Sequence, residues 1–258
     1  MKKRLFTFGC SFTSYVWPTW ADILAKEFDY FQNWGQGGAG NQFIFNSLIE
    51  CNVRNKLNSD DTVIIMWTNV AREDRYVNGK WLSPGNIYTQ EEYNKEFVKK
   101  FSDPRGYLIR DLATIYAAIE LLEKWKVNYK LLCMVPLEND SQYTFSSSNR
   151  DKDVLNLYSS LFDKVFPSVF EIIFNFDYED HCKNHRNNVP NDIRNDPHPV
   201  PSEHLKYIQT VLPEYVISDK TKEWVNEVEK ITYLDVMSWR KNQNIKYWVR
   251  ESNRPPRL

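Results

Sequence analysis

The chain has 258 residues, of which 42% are hydrophobic and 15% aromatic, enough to build the core of one sizeable domain. A mean hydropathy of −0.59, with no run of roughly 18 apolar residues, argues against a membrane-spanning protein. The formal net charge is −1, so the chain has no overall field that would attract nucleic acid or an anionic membrane surface.

The first third of the sequence predicts a βαβαβ unit. Two short apolar stretches, residues 4–9 and 29–34, are typical of strands, and residues 62–67 form a continuous apolar run typical of a strand buried on both faces. Residues 18–28 have helical spacing, and Asn41 is placed to cap a helix that runs to residue 56.

The alternation continues through the middle of the chain. A helix is predicted over residues 111–125, a strand over 129–135, a helix over 154–166 and a further strand over 169–174. Strands that alternate with helices predict a parallel sheet covered on both faces, in which sites form beyond the carboxyl ends of the strands.

The organisation predicted is a single domain over residues 1–238, followed by a C-terminal arm. Residues 239–258 are basic and aromatic, and we expect this arm to pack on its own domain rather than to bind nucleic acid. The polar segments 138–153 and 177–199 are predicted as long loops.

Segment 4–16 contains too short an apolar run for a signal peptide. The four cysteines are far apart and have neither a Cys-x-x-Cys pair nor a zinc-like spacing, which is typical of reduced thiols. We therefore expect a cytoplasmic protein, with no cofactor and no membrane partner.

Ser11 follows the first predicted strand, where a nucleophile would lie at the mouth of the sheet. A serine nucleophile needs a base, a group that orients the base, and donors for the oxyanion. His198 is the best-placed base, and Asp196 can approach its ring because the dipeptide before Pro197 favours an extended backbone. Gly38 and Asn69, each after a predicted strand, could donate to the oxyanion together with the Ser11 N–H.

Four segments in this order resemble the conserved blocks of SGNH (GDSL-like) hydrolases: Gly9-Cys10-Ser11-Phe12, residues 33–41, Trp67-Thr68-Asn69 and Asp196-Pro197-His198-Pro199. The resemblance implies a flavodoxin-like three-layer α/β/α sandwich around a mainly parallel sheet. It also implies Ser11 as nucleophile, Gly38 and Asn69 as oxyanion donors, His198 as base, and a structural role for His204.

An SGNH-type protein of this kind would be a serine esterase. We expect it to hydrolyse an ester bond of a small molecule or a carbohydrate, such as an O-acetyl group, through an acyl-enzyme on Ser11.

Three positions depart from the family pattern. Cys10 stands where Gly-Asp-Ser has its aspartate, Trp67 stands where Gly-x-Asn has its glycine, and Asn195 stands three residues before the histidine, where the family commonly has the acid. We prefer Asp196 as the orienting acid. With Asn195 in that role, turnover would fall on the order of 10⁴-fold, and the chain would be a catalytically weak binding or structural module.

Other roles are open for the same residues. Ser11 could only cap the following helix, Cys10 could be the nucleophile, and the histidine-rich loop could bind a metal through His181, Cys182, His185 and His198. The spacing Gly35-x-Gly37-x-x-Gly40 matches the dinucleotide fingerprint and makes dinucleotide binding an alternative function.

Two further interpretations concern the surroundings of the site. Arg72 is expected to form a surface ion pair with Glu73 and Asp74, although its closeness to Asn69 also permits contact with an anionic substrate. Four tryptophans near the predicted mouth fit either a sugar platform or the core: Trp17, Trp20, Trp67 and Trp81.

Overall fold

The computed structural model of the protein describes residues 3–137, 151–186 and 189–234. The main sheet consists of β1 (Arg4–Phe8), β2 (Tyr30–Asn33), β3 (Asp61–Trp67) and β6 (Asn128–Cys133), and β4 (Arg75–Val77) pairs with β5 (Lys80–Leu82). The helices are α1 (Trp20–Ala25), α2 (Asn41–Asn55), α3 (Lys95–Phe101), α4 (Pro104–Trp125), α5 (Lys152–Leu157), α6 (Ser159–Phe162), α7 (Val169–Ile172), α8 (Tyr178–His185), α9 (Asn191–Arg194), α10 (Pro201–Val211) and α11 (Asp219–Leu234).

The four strands of the main sheet are all parallel, in the order β2-β1-β3-β6. Every residue of β3 is buried, as expected for a central strand covered on both faces. The chain leaves β1 in one direction for β2 and in the other for β3, so a crevice forms beyond the carboxyl ends of these strands. The predicted parallel sheet is confirmed, and this crevice is where a site is expected.

Helices cover both faces of the sheet, which confirms the predicted three-layer α/β/α architecture. On one side α2 packs against α4 and against β1 and β3. On the other side α1 packs against α10, which also contacts α7 and α11. One apolar cluster runs through all the layers, with Phe6, Ile64 and Leu112 among its fully buried members.

Residues 169–174 form the short helix α7 and not the predicted strand. Ser168 starts this helix with a capping box, in which its hydroxyl accepts the Glu171 N–H at 3.1 Å and its own N–H donates to the Glu171 carboxylate at 2.6 Å. A short apolar run fits a buried strand and a buried helix equally well, so only the cap decides between them.

Other predicted elements differ in detail. The helix predicted over 154–166 is divided into α5 and α6, and the loop predicted over 177–199 contains α8 and α9. Gly40, not Asn41, caps α2, because the Asn41 side chain is used elsewhere.

Some predictions fall outside the described residues. These are the arm over 239–258, with the end of the predicted domain at 238, and most of the loop over 138–153. Across the described residues, no helix combines the length and the apolar character needed to span a membrane. All four cysteines are buried and none forms a disulfide.

Candidate active site

A cavity of about 490 Å³ opens beyond the carboxyl ends of the central strands. Four of the predicted site residues, Ser11, Gly38, Asn69 and His198, lie on its wall. They come from four separate segments of the chain, and the parallel sheet brings those segments to one edge. The fifth, Asp196, contacts His198.

Ser11 lies in a tight turn directly after β1. The N–H groups of Thr13 and Ser14 both donate to the Cys10 carbonyl, at 2.9 and 3.1 Å, and so fold the chain back beneath Ser11. The serine is only 9% exposed, and that exposure is toward the cavity. No α-helix begins at Ser11 itself, since α1 starts nine residues later, within the range 18–28 predicted for it.

The geometry of this turn argues against two alternatives, Ser11 as a helix cap and Cys10 as the nucleophile. The helix cap is Thr19, whose N–H donates to the Asp22 carboxylate at 2.8 Å, so Ser11 does not cap α1. Cys10 is fully buried, its Sγ lies 3.8 Å from the sulfur of Met134, and Cys10 itself does not line the cavity as Ser11 does. Of the two side chains, the hydroxyl of Ser11 is therefore the one exposed to a substrate.

Gly38 adopts a left-handed backbone with φ of +75° on the cavity wall. A Cβ at this position would overlap the carbonyl oxygen of Ser83. Only glycine therefore fits this position on the cavity wall without strain.

Asn69 follows β3, and a hydrogen bond sets the orientation of its side chain. Its Oδ1 accepts the Ala71 N–H at 2.6 Å, which makes the amide nitrogen the donor end of the group. The preceding residue, Thr68, is held by Asn41: the Thr68 N–H donates to Asn41 Oδ1 at 2.9 Å, and Asn41 Nδ2 donates to the Thr68 carbonyl at 3.0 Å. Asn41 therefore positions the segment that carries Asn69 instead of capping α2.

The Asn41 amide also donates to Asp111, a fully buried carboxylate on α4, at 2.8 Å. Burial raises the pKa of Asp111 to about 6, even though Arg110 and Asn41 favour the charged form. The segment after β3 is thus attached to α4 through a buried polar network.

His198 is held on one side by a carboxylate and on its face by an aromatic ring. Its Nδ1 lies 2.6 Å from Asp196 Oδ1, which also accepts the His198 backbone N–H at 2.9 Å. The Tyr15 ring stacks on the imidazole at a centroid distance of 3.7 Å, and its hydroxyl donates to Asp196 Oδ2 at 2.6 Å. Asn195, the alternative orienting residue, is exposed and is not the residue at Nδ1.

The surroundings of Asp196 favour its ionised form. Burial alone would raise the pKa of Asp196, but the hydrogen bonds and charge of His198, with the Tyr15 hydroxyl, lower it below its ordinary value. A charged Asp196 keeps the Nδ1 proton on the imidazole, so that Nε2 is the nitrogen able to accept a proton.

A buried ion pair shapes the loop that carries Asp196 and His198. Arg186 is 1% exposed and binds Glu203 on α10, at 2.6 Å from Nη2. The same guanidinium donates to the carbonyls of Asp196 at 2.8 Å and His198 at 3.1 Å. Burial opposes the charge on Glu203, yet hydrogen bonds from His181 and Arg186 lower its pKa to about 2.

Sequence reasoning did not find Tyr15, Arg186 or the role of Asn41. Glu203, the partner of Arg186, does leave a local signal, since a glutamate three residues after the N-cap of a helix is typical of a capping box. The others act through contacts between segments that are distant in sequence.

His204 is fully buried on α10, and neither of its ring nitrogens has a hydrogen-bond partner among the described residues. Burial lowers its pKa from 6.5 to about 3. The imidazole is therefore neutral in the folded protein, which agrees with the structural role implied for it.

We expect His204→Leu to remove part of the acid sensitivity of the fold. Because the unfolded chain binds the His204 proton near pH 6.5 and the folded chain only near 3, this residue lowers stability as the pH falls between those values. The advantage of the variant in free energy of unfolding should grow by up to about 1.4 kcal/mol per pH unit below 6.5. Urea unfolding from pH 7 to 4.5 measures it, with the exposed His185→Gln as control, and parallel curves for parent and His204→Leu would contradict it.

The structure does not support three of the interpretations of neighbouring residues: the ion pair of Arg72, the dinucleotide site and the sugar platform. Arg72 pairs with neither of its acidic neighbours, because Glu73 binds Arg75 and Arg110 and Asp74 binds the start of α2.

The second interpretation is the dinucleotide site before α2. Asp74 accepts the N–H groups of Gly40 and Phe43, both at 2.9 Å, so a carboxylate occupies the helix terminus that a dinucleotide phosphate would need.

The third concerns the tryptophans. Trp17, Trp20 and Trp67 are buried, Trp81 packs edge-on against Phe43, and none of the four lies on the cavity wall. They belong to the packing and not to a sugar platform.

The histidines of the suggested metal site have separate partners. His181 is hydrogen-bonded to Glu203, and His198 is hydrogen-bonded to Asp196.

No family model and no curated protein matches the sequence. Among solved structures, the chain is similar to a member of the lipolytic protein G-D-S-L family from Veillonella parvula, with 16% identity and a TM-score of 0.39 over 68% of this chain and 82% of that one. It is similar to the psychrotrophic esterase EstA from Pseudoalteromonas sp., with 12% identity and a TM-score of 0.41 over 86% and 98%. It is also similar to a GDSL-like lipase from Bacteroides thetaiotaomicron, with 16% identity and a TM-score of 0.37 over 86% and 88%. The solved structures to which this chain is similar are thus G-D-S-L lipolytic proteins and esterases.

Proposed function

We propose that this protein is a serine hydrolase that cleaves carboxylic esters through an acyl-enzyme on Ser11. One observation carries the proposal: His198 and Ser11 share a cavity wall, and Asp196 holds Nδ1 of the His198 ring, which leaves Nε2 as the proton acceptor. A base oriented in this way is what a serine hydroxyl needs in order to become a nucleophile.

In the acylation step, Ser11 Oγ attacks the ester carbonyl carbon and its proton passes to His198 Nε2. The carbonyl oxygen becomes an oxyanion, which the Ser11 and Gly38 N–H groups and the Asn69 amide would bind. The bond to the alcohol oxygen then breaks, and the alcohol leaves with the proton from His198. The acyl group remains on Ser11.

In the second step, water takes the place of the alcohol. His198 removes a proton from the water, the resulting hydroxide attacks the acyl carbon, and the Ser11 oxygen leaves with the proton returned by His198. Asp196 stabilises the imidazolium in both steps, and Tyr15 is a positioning residue because its ring and its hydroxyl restrict both His198 and Asp196.

The substrate that we propose is a small-molecule ester, with an O-acyl carbohydrate as one possibility. The cavity size of about 490 Å³ is in the range of small-molecule sites. The tryptophans do not favour a sugar, since they lie outside the cavity wall. A catalytically weak binding or structural module is the alternative, and it is less favoured because Asp196, and not Asn195, lies at Nδ1 of His198.

A fluorophosphonate probe tests this proposal directly. We expect one covalent adduct per folded chain, located on Ser11 by peptide mass spectrometry, together with hydrolysis of a short-chain aryl ester. Heat-unfolded protein is the control and should not be labelled, because the Ser11–His198 arrangement exists only in the folded chain. An adduct on any other residue, or neither labelling nor turnover, would refute it.

A further inference from the structure

Arg72 lies on the wall of the same cavity, and its charge has no acidic partner among the residues that the structure describes. Its Nη1 donates to the Ala39 carbonyl at 3.0 Å, and its Nη2 lies 3.6 Å from the Met134 sulfur. In residues 3–137, 151–186 and 189–234, no carboxylate lies within ion-pairing distance of it. These two contacts use two of the five N–H donors of a guanidinium, so the group can still bind an anion.

Among the described residues of the cavity wall, Arg72 supplies the permanent positive charge, and none is acidic. The nearby carboxylates have other partners, since Asp196 binds His198 and Tyr15 while Asp74 binds the start of α2. A protein with a net charge of −1 has thus placed an unpaired cation in its candidate active site.

Arg72 lies close to the residues that would bind the oxyanion of the reacting ester. Its hydrogen bond to Ala39 places the guanidinium beside the segment that carries Gly38, and Asn69 lies three residues before it in the chain. The backbone of Arg72 forms an antiparallel β-bridge with that of Asn86. Asn86, Thr89 and Gln90 continue the same cavity wall with neutral polar groups. An anionic group bound there would lie next to the oxyanion donors, close to the scissile ester.

We propose that Arg72 selects esters that carry a carboxylate or a similar anionic group near the scissile bond. This inference rests on the esterase function proposed above and names its substrate class. A planar guanidinium can bind a carboxylate through two parallel N–H bonds, and partial burial of the site strengthens that attraction relative to bulk water. The anion can belong to the acyl part or to the alcohol part of the ester.

The test compares matched pairs of charged and neutral esters. Monomethyl succinate beside methyl butyrate places the charge on the acyl side, and para-carboxyphenyl acetate beside phenyl acetate places it on the alcohol side. For one of these pairs, Arg72→Gln should lower the ratio of kcat/KM for the anionic ester to that for the neutral ester by about 10-fold to 100-fold. Arg72→Lys keeps the charge but not the two parallel bonds, so it should recover part of the ratio.

The outcomes separate this inference from other roles of Arg72. If Arg72→Gln left both ratios unchanged, or lowered kcat/KM equally for charged and neutral esters, Arg72 would not select anions. The second result would place the guanidinium on the oxyanion itself. Thermal unfolding of both variants checks that they fold.

Binding to Ser11→Ala keeps the inference testable if the protein has no esterase activity. Calorimetry of monomethyl succinate and methyl butyrate, with and without the added Arg72→Gln change, measures anion binding without turnover. Charge-selective binding that needs Arg72, in a protein that hydrolyses nothing, would refute the esterase proposal and retain the anion site. Equal binding of the two esters by both proteins would refute the anion site.

Discussion

Replacing Ser11 with alanine is expected to lower the turnover of a short-chain aryl ester by about 10⁶-fold. The size of the effect follows from the role proposed for Oγ, which forms the bond to the acyl carbon, so its loss removes the covalent route altogether. A small acceleration over water should remain from the oxyanion donors. Phenolate release under single-turnover conditions measures the change.

Cys10→Ala is the matched control for the Ser11 variant. It alters the adjacent residue, but Cys10 is fully buried and does not line the cavity, so labelling and turnover should stay close to those of the parent protein. Turnover by Ser11→Ala within tenfold of the parent would contradict the assignment of the nucleophile. Loss of labelling in Cys10→Ala with an intact fold would point to the thiol instead.

The sheet could be predicted from the sequence because its strands have strong local signals. The apolar run that became β3 is buried along its whole length, as is typical of a strand between two helix layers. Residues 169–174 have an equally apolar pattern, but the capping box of Ser168 and Glu171 makes them helical. Hydrophobic pattern alone does not distinguish these two cases.

The site could be predicted where neighbours in sequence are neighbours in space. Pro197 favours an extended backbone at Asp196, and this places the carboxylate against the ring of His198, two residues away. The same reasoning failed for Arg72, since Glu73 and Asp74 are adjacent in sequence but bind other groups. Proximity along the chain is informative only when the backbone between the residues is restricted.

Tyr15 and Arg186 could not be predicted, because their contacts join distant segments. The Tyr15 hydroxyl reaches a carboxylate 181 positions away, and nothing near Tyr15 in the sequence indicates that partner. Arg186 binds backbone carbonyls, which every residue has, so its targets leave no trace in the side-chain pattern. Such contacts become visible only when the fold has brought the segments together.

Asp196→Ala is expected to lower turnover on the order of 10⁴-fold while labelling, when it occurs, stays on Ser11. The substitution removes the partner of Nδ1 and the charge that stabilises the imidazolium, and it also removes the acceptor of the Tyr15 hydroxyl. His198 would then adopt either tautomer and would be restricted mainly by the Tyr15 ring. The loss should appear in kcat rather than in KM, because Asp196 is not on the cavity wall.

Three further variants separate the effect of the Asp196 charge from that of the surrounding contacts and of the loop. Asp196→Asn should lose about as much as Asp196→Ala, because an amide has no charge to stabilise the imidazolium and favours the wrong tautomer of His198. Tyr15→Phe keeps the stacked ring and loses one hydrogen bond, so it should cost about tenfold. Asn195→Ala, at the exposed neighbouring position, should leave turnover unchanged. If Asn195→Ala lowered kcat as much as Asp196→Ala, the loop and not the carboxylate would be what the reaction needs.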